Sequence, residues 1–438
     1  MKVIVSRRAS YDARFPLALF LFLLVSGLAV ADDRSEWPRW RGPQDTGSTE
    51  VGTYPTQLEE QTLKWKADLP GKGCSTPIVL NRTIYLTAPV DGKDALLCFD
   101  WNGKQLWAAT FGPETPGKHR NGSGCNASPV TDGDAVFVYF KTGTLAAVDL
   151  SGKIRWQTNL VERFGEDERF WDHGTSPVLT DEYVVMARMH AGDSWLAAFD
   201  KNSGKLAWKV ARDYSTPLES DQCYTTPLVI QHNNQEALLV WGACHLTIHD
   251  AGDGAVLWSC GGFNPDSKKL WPAIANPVIV GDMVVLCYGR NDRRAPRLHG
   301  IRLGGSGDVT GSNRVWTRGD VSSFVPSPVV YRGRVYLVRD RGEVECIDPG
   351  TGETIWSDAL PEGRPSFYAS PTIAGGNLYA AREDGMVFVA SVQDGRFKLL
   401  TEQELGEPVI GSPVPVQNRI LLRGEQHLFC WEMADRLP

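Results

Sequence analysis

The chain has 438 residues, 42% hydrophobic and 22% charged, with a mean hydropathy of −0.24 and a formal net charge of −7. This is the composition of a water-soluble globular protein, and its acidic balance argues against nucleic acid or anionic lipid as the main partner. Two counts stand out, 44 Gly and 15 Trp: many tight turns, hence many short strands, and one structural position filled repeatedly by the same large ring.

Taken in chain order, residues 1–31 read as an export signal. Lys2, Arg7, Arg8 and Arg14 precede an apolar run from Leu17 to Val30, and Ala29-Val30-Ala31 supplies the small residues of a cleavage site before Asp32. The run is shorter than the roughly 20 residues a membrane-spanning helix needs. No Cys lies near the cleavage point for lipid attachment. A cleaved signal and a periplasmic or secreted protein are therefore expected. Without the leader, 41 basic and 51 acidic residues remain, a net of −10. No later stretch is long and apolar enough to cross a bilayer. Residues 32–62 form an N-terminal extension. Its Trp37-Pro38-Arg39-Trp40-Arg41-Gly42-Pro43 is expected to pack on the main body of the protein rather than make a domain.

From residue 63 to 438 the chain repeats. Eight segments open with Ser, Thr or Asn before Pro: Thr76, Ser128, Ser176, Thr226, Asn276, Ser327, Ser370 and Ser412, at intervals of 42 to 52 residues. Each unit reads as four short strands with Gly-, Asp- or Asn-bearing turns. Four antiparallel strands per unit of this length define a propeller blade, so the fold class is all-β, an eight-bladed β-propeller. A tighter rule marks the later half of most units: a small residue, Asp two later, then Gly, then Trp. Ala198, Asp200, Gly204 and Trp208 show it in full. The structural tryptophans expected are Trp65, Trp107, Trp156, Trp208, Trp258, Trp316 and Trp356. Unit seven has Leu399 near that place, and unit five stretches the distance from Pro277 to Trp316. The last unit lacks a fourth strand after Leu428-Phe429-Cys430-Trp431, while Leu63-Lys64-Trp65-Lys66 looks like a fourth strand without a blade. Joining them closes the ring and leaves no open edge.

These motifs resemble the tryptophan-docking repeat of quinoprotein dehydrogenases and their non-enzymatic relatives, over nearly all of the mature chain. The heptapeptide at Trp37 resembles the entry motif of exported bacterial quinoprotein-like propellers. The resemblance implies that first strands line the central channel and that ligands lie on the face holding the loops that enter them.

Those loops carry His119, Arg120, Trp171, Asp172, His173, Tyr224 and Trp271, a mixture of rings and charge suited to an anionic or planar ligand. Asp172-His173 reads as a base with its orienting partner, as two metal ligands, or as structural hydrogen bonding, which their adjacency favours. The insertion of unit five is basic, with Arg290, Arg293 and Arg294, so it is either an anion site or a solvated loop. Cys74 and Cys125 stand at nearly equivalent points of adjacent units, where an exported protein could hold a disulfide. Cys98 and Cys346 read as buried small hydrophobes. Catalytic residues and a metal site are not identifiable, and common enzyme motifs are missing. The leading expectation is an exported binding or assembly platform, monomeric, without a cofactor, engaging a protein or small anionic ligand of the cell envelope. Its architecture is similar to that of the scaffold subunit of the outer-membrane barrel-assembly machinery. The alternative is a dehydrogenase using pyrroloquinoline quinone with calcium.

Overall fold

A computed structural model describes residues 36–433 and Met1; the expected signal lies outside this range. Residues 34–438 form one compact unit. Eight antiparallel sheets make the eight blades, and the order of strands in each is that of a meander. Blade 1 runs through Ile78–Leu80, Thr83–Val90, Lys93–Phe99 and Gln105–Pro113. Blade 8 runs through Val414–Val416, Arg419–Arg423 and His427–Glu432 and is completed by Leu63–Asp68. That closing strand pairs antiparallel with His427–Glu432, Trp65 opposite Cys430 and Asp68 opposite His427.

The repeat rule has a direct physical cause. The small residue stands opposite the tryptophan across the third and fourth strands: Cys98 faces Trp107, Ala147 Trp156, Ala198 Trp208, Gly300 Trp316 and Cys346 Trp356. Each of these pairings is followed by a register shift, a bulge that bends the strand beside the ring. The Asp carboxylate caps the turn. Asp100 Oδ1 accepts the N–H groups of Asn102 and Lys104, and Asp149 Oδ1 those of Ser151 and Lys153. The Gly then receives the ring of the preceding blade. A Cβ at Gly204 would lie 2.5 Å from Trp156, and one at Gly352 2.6 Å from Trp316. The docked indoles donate to carbonyls of the next blade: Trp65 to Trp101 O (3.0 Å), Trp156 to Lys201 O (2.7 Å), Trp208 to Ala251 O (3.1 Å) and Trp316 to Pro349 O (2.9 Å).

The eight Ser, Thr and Asn residues before proline make a second circuit. At seven of the eight steps the backbone N–H donates to the side-chain oxygen of the next residue: Thr76 to Ser128, Ser128 to Ser176, Ser176 to Thr226, Thr226 to Asn276, Asn276 to Ser327 and Ser327 to Ser370. Ser412 N–H then closes on Thr76 Oγ1, all at 2.9–3.0 Å. Proline follows because that residue's own N–H is not needed.

Three details differ from the sequence expectations. In blade 7 the residue in the tryptophan register is Thr401, opposite Val389, and not Leu399; its hydroxyl donates to Thr56 O at 2.6 Å, tying the N-terminal extension to the ring. The extra length of blade 5 is only partly in the basic loop. Residues 303–313 carry a short strand, Gly307–Asp308, that pairs parallel with the outer strand of blade 4. All nine cysteines are free thiols, so the disulfide between Cys74 and Cys125 is not formed. The Cys74 thiol turns to Asn121 O (3.4 Å) and that of Cys125 toward Asp94 Oδ1 (3.9 Å).

The extension packs on the ring, as expected, and crosses its far end. Trp37 is buried and bridges to Val79 of blade 1, Pro38 O accepts from Thr131 N of blade 2, and Trp40 Nε1 donates to Ser412 Oγ of blade 8. The buried Arg41 guanidinium donates to Pro371 O and Pro328 O, and Ser48–Thr49 adds in parallel to the first strand of blade 7.

Candidate functional site

At the opposite end, the loops entering the first strands of blades 2 to 7 converge on a cavity of about 640 Å³. Six chain segments far apart in sequence meet there because blade geometry places every entry loop on one face. His119, Trp171, Asp172, Tyr224 and Arg290 line it, as expected from the sequence. Blade 6 adds Phe324, Arg339, Asp340, Arg341 and Glu343, which sequence reasoning passed over. The signal available was position alone: Phe324 precedes Ser327-Pro328 as Trp171 precedes Ser176-Pro177.

Two exposed rings stand on the blade 3 rim, Trp171 lining the cavity and Phe170 beside it. Phe170 is 62% exposed and Trp171 40%, in edge-to-face contact at 4.8 Å between centroids. Their backbone is propped from below. Phe170 N donates to Gln222 Oε1 (2.9 Å), Trp171 N to the Tyr224 hydroxyl (3.1 Å), and that hydroxyl in turn to Gln222 Oε1 (2.9 Å). Beneath lies the fully buried Arg169, bidentate to Asp167 and donating to Cys223 O at 3.0 Å. Burial alone would raise the Asp167 pKa, yet Arg169 and His173 hold it far below the usual carboxylate range. Two large apolar rings thus stand in solvent on a rigid base.

Adjacent in sequence, Asp172 and His173 do not act together. The Asp172 carboxylate accepts from Lys118 N (2.8 and 3.0 Å) and from Lys141 Nζ (2.7 Å). His173 lies buried outside this cavity, donating from Nε2 to Thr175 O (2.5 Å) and accepting from Arg169 at Nδ1. Burial, and then Arg169, push its pKa down to about 4, so it is neutral. The pair serves structural hydrogen bonding.

Four other candidates fall outside the cavity. Trp271 is 2% exposed and packs in the core against Tyr288, with Pro272 and Ile274 facing the mouth in its place. Arg120 is an exposed side chain on a neighbouring cavity, paired with Glu383 at 3.1 Å. Arg293 and Arg294 point to solvent beside the turn Asn291–Arg293, while Arg290 is taken up bidentately by Asp292 at 2.9 and 2.8 Å. Arg290, Arg293 and Arg294 therefore do not converge on one anion site. Each basic group that does reach the mouth arrives with a carboxylate or carbonyl beside it.

Docked tryptophans, a small residue opposite most of the rings and closure by the N-terminal strand define an eight-bladed propeller of quinoprotein-type repeats. Comparison with known proteins narrows this class. The family model of outer membrane protein assembly factor BamB matches residues 92–358 and 340–435, and the chain belongs to that family. It is 22% identical over 338 residues to outer membrane protein assembly factor BamB of Yersinia pestis, covering 73% of this chain and 75% of that one. The Bordetella pertussis BamB is 23% identical, covering 83% and 84%. Among solved structures, BamB from Moraxella catarrhalis superposes with a TM-score of 0.61 at 15% identity, covering 86% of this chain and 99% of that one. The quinohemoprotein alcohol dehydrogenase from Comamonas testosteroni gives 0.66 at 12%, covering 94% and 82%. At these identities the two structures share the fold and do not choose between binding and oxidation.

Proposed function

We propose that this chain is an exported, periplasmic binding platform for outer-membrane protein assembly, and that it docks a protein partner on the mouth rim through Phe170 and Trp171. The carrying observation is the exposed Phe-Trp pair on a base braced by Gln222, Tyr224 and the Arg169–Asp167 pair. Preorganised aromatic anchors of this kind lose little entropy when covered and dominate interface energetics. Membership of the assembly-factor family agrees with it, and no described helix is long and apolar enough to cross a membrane.

The donor set speaks against the alternative, a dehydrogenase with pyrroloquinoline quinone and Ca²⁺. Calcium takes six to eight oxygens. Among the described residues no group of three His, Cys, Asp or Glu side chains is placed to hold a metal ion. Three of the four mouth acids already face donors: Asp172 two lysines, Asp292 Arg290, and Asp340 the N–H groups of Phe324 and Val325.

The test replaces Phe170 and Trp171 together by Ser in the full chain, in its native host, and follows co-purification of outer-membrane assembly components. Losing a hot spot of about 2 kcal/mol weakens binding roughly 30-fold. Undiminished co-purification overturns the reading.

A further inference from the structure

The loop entering blade 2 does not stay on its own blade. Its tip reaches over blades 1 and 8 to blade 7, where Arg120 Nη2 and Asn121 Nδ2 meet Glu383 Oε2 at 3.1 and 2.6 Å. On the way, Lys72 of blade 1 donates to Arg120 O. The catch is built into blade 7: Glu383 is 8% exposed, and its other oxygen accepts the Ser366 N–H at 2.8 Å. The tongue has two fixed ends. On one side Lys118 N is held by Asp172 and Lys118 Nζ by Arg169 O. On the other, the fully buried Cys125 offers its carbonyl to the N–H groups of Cys74 and Ser75 at 3.1 and 3.2 Å. Between them, residues 119–124 are tied to one another, Gly122 N to His119 O (2.9 Å) and Asn121 N to His119 Nδ1 (3.2 Å), and two of the six are glycine.

This tongue is a partition. His119, Asn121 and Gly122 line the main mouth cavity, while Arg120 and Asn121 line a second one of about 530 Å³ shared with Lys72, Glu383 and Glu425. We propose that residues 119–124 form a lid latched on Glu383, and that lifting it joins the two cavities into one groove across the mouth. The latch is weak where it must give: the Arg120 side chain is 74% exposed, so its ion pair is screened by water. Local openings draw on exposed tips of a rigid scaffold: here Arg120 is exposed and lifts, while the buried Gly122, Ser123 and Gly124 form the base of the tongue. The proposal stands whether or not the rim binds a protein.

Cys74 reports the motion. Its thiol points at Asn121 O on the underside of the lid, it is partly exposed, and the other eight cysteines are buried. Burial pushes the thiol's pKa up, which keeps it unreactive under the closed lid. The experiment treats the native full chain with iodoacetamide and follows each cysteine by peptide mass spectrometry, in wild type, Glu383→Gln and Asn121→Ala. Loss of one charge-assisted latch bond is expected to speed labelling of Cys74 roughly tenfold with the other eight unchanged. Should Glu383→Gln label all nine faster, Asn121→Ala, which alters the lid alone, decides. Cys74 labelling at the wild-type rate in Asn121→Ala overturns the lid.

Discussion

Substituting Gly204 by Ala separates the two reasons for a glycine in the blade turn. The residue has φ +66, and an added Cβ would sit 2.5 Å from Cδ2 and Cε3 of the docked Trp156. The left-handed backbone costs an alanine about 1 kcal/mol. The ring must also move, which breaks the 2.7 Å bond from Trp156 Nε1 to Lys201 O, worth about 1 kcal/mol, and opens its packing for about 1 kcal/mol more. The expected loss is about 3 kcal/mol. Gly92 supplies the control: its φ is +72, but nothing lies within 4 Å of the Cβ position. Gly92→Ala should cost only the backbone share, about 1 kcal/mol. Urea unfolding followed by tryptophan fluorescence and far-ultraviolet circular dichroism measures both. Equal losses in the two variants would refute the docking argument, since they would leave the backbone as the whole cause.

Deleting residues 63–69 removes the fourth strand of blade 8 and exposes His427–Glu432 as an edge, so the melting temperature should fall and aggregation rise together; an unchanged melting temperature speaks against closure by that strand. Burial holds His249 neutral with a pKa of about 4, bonded from Nδ1 to Gly254 O. The unfolded chain takes up that proton near pH 6.5 and the folded chain only near 4. Stability is therefore full above pH 6.5 and is lost as the pH falls toward 4, by about 3 kcal/mol. His249→Asn, which keeps a donor for Gly254 O, should lessen the slope of that part of the urea-midpoint profile, the rest coming from the likewise buried His173 and His299, and a wild-type slope would count against it. Finally, pyrroloquinoline quinone and Ca²⁺ added to the purified protein should produce no dye reduction with alcohols or aldoses; turnover that vanishes in Asp172→Asn would restore the enzyme reading.

The fold was legible because its cause is periodic. A ring docking on the next blade needs Trp, a small residue opposite and a glycine beneath, and repeats of that trio survive differing loops. Closure was legible from a missing strand at one end and a surplus one at the other. The exceptions arose where the register depends on pairing rather than spacing. Leu399 has the apolar bulk expected of a tryptophan substitute, but the bulge puts Thr401 opposite Val389, and what that position bonds is the N-terminal extension. In blade 5, the basic residues drew attention to one loop, while the hairpin that covers the edge of blade 4 is Gly-, Ser- and Asp-rich and carries no chemical signal.

The mouth was legible only as an address. Ring geometry placed the entry loops on one face, and His119, Trp171, Asp172, Tyr224 and Arg290 do meet there. It could not say which side chains turn inward, because that is decided by partners distant in sequence: Trp271 belongs to Tyr288 and the core, His173 to Arg169 and Thr175, and Arg290 to Asp292. Charged groups picked out as ligand donors were mostly consumed in holding the loops. Among the aromatic rings of these loops, Phe170 and Trp171 face water. Exposed aromatics on a braced base are what the proposed contact with another surface needs, since contact requires rigidity and area. The same accounting explains the blade 2 loop. Its Arg120 and Asn121 reach Glu383, so what looked like a recognition motif in the sequence works as a fastening across the mouth.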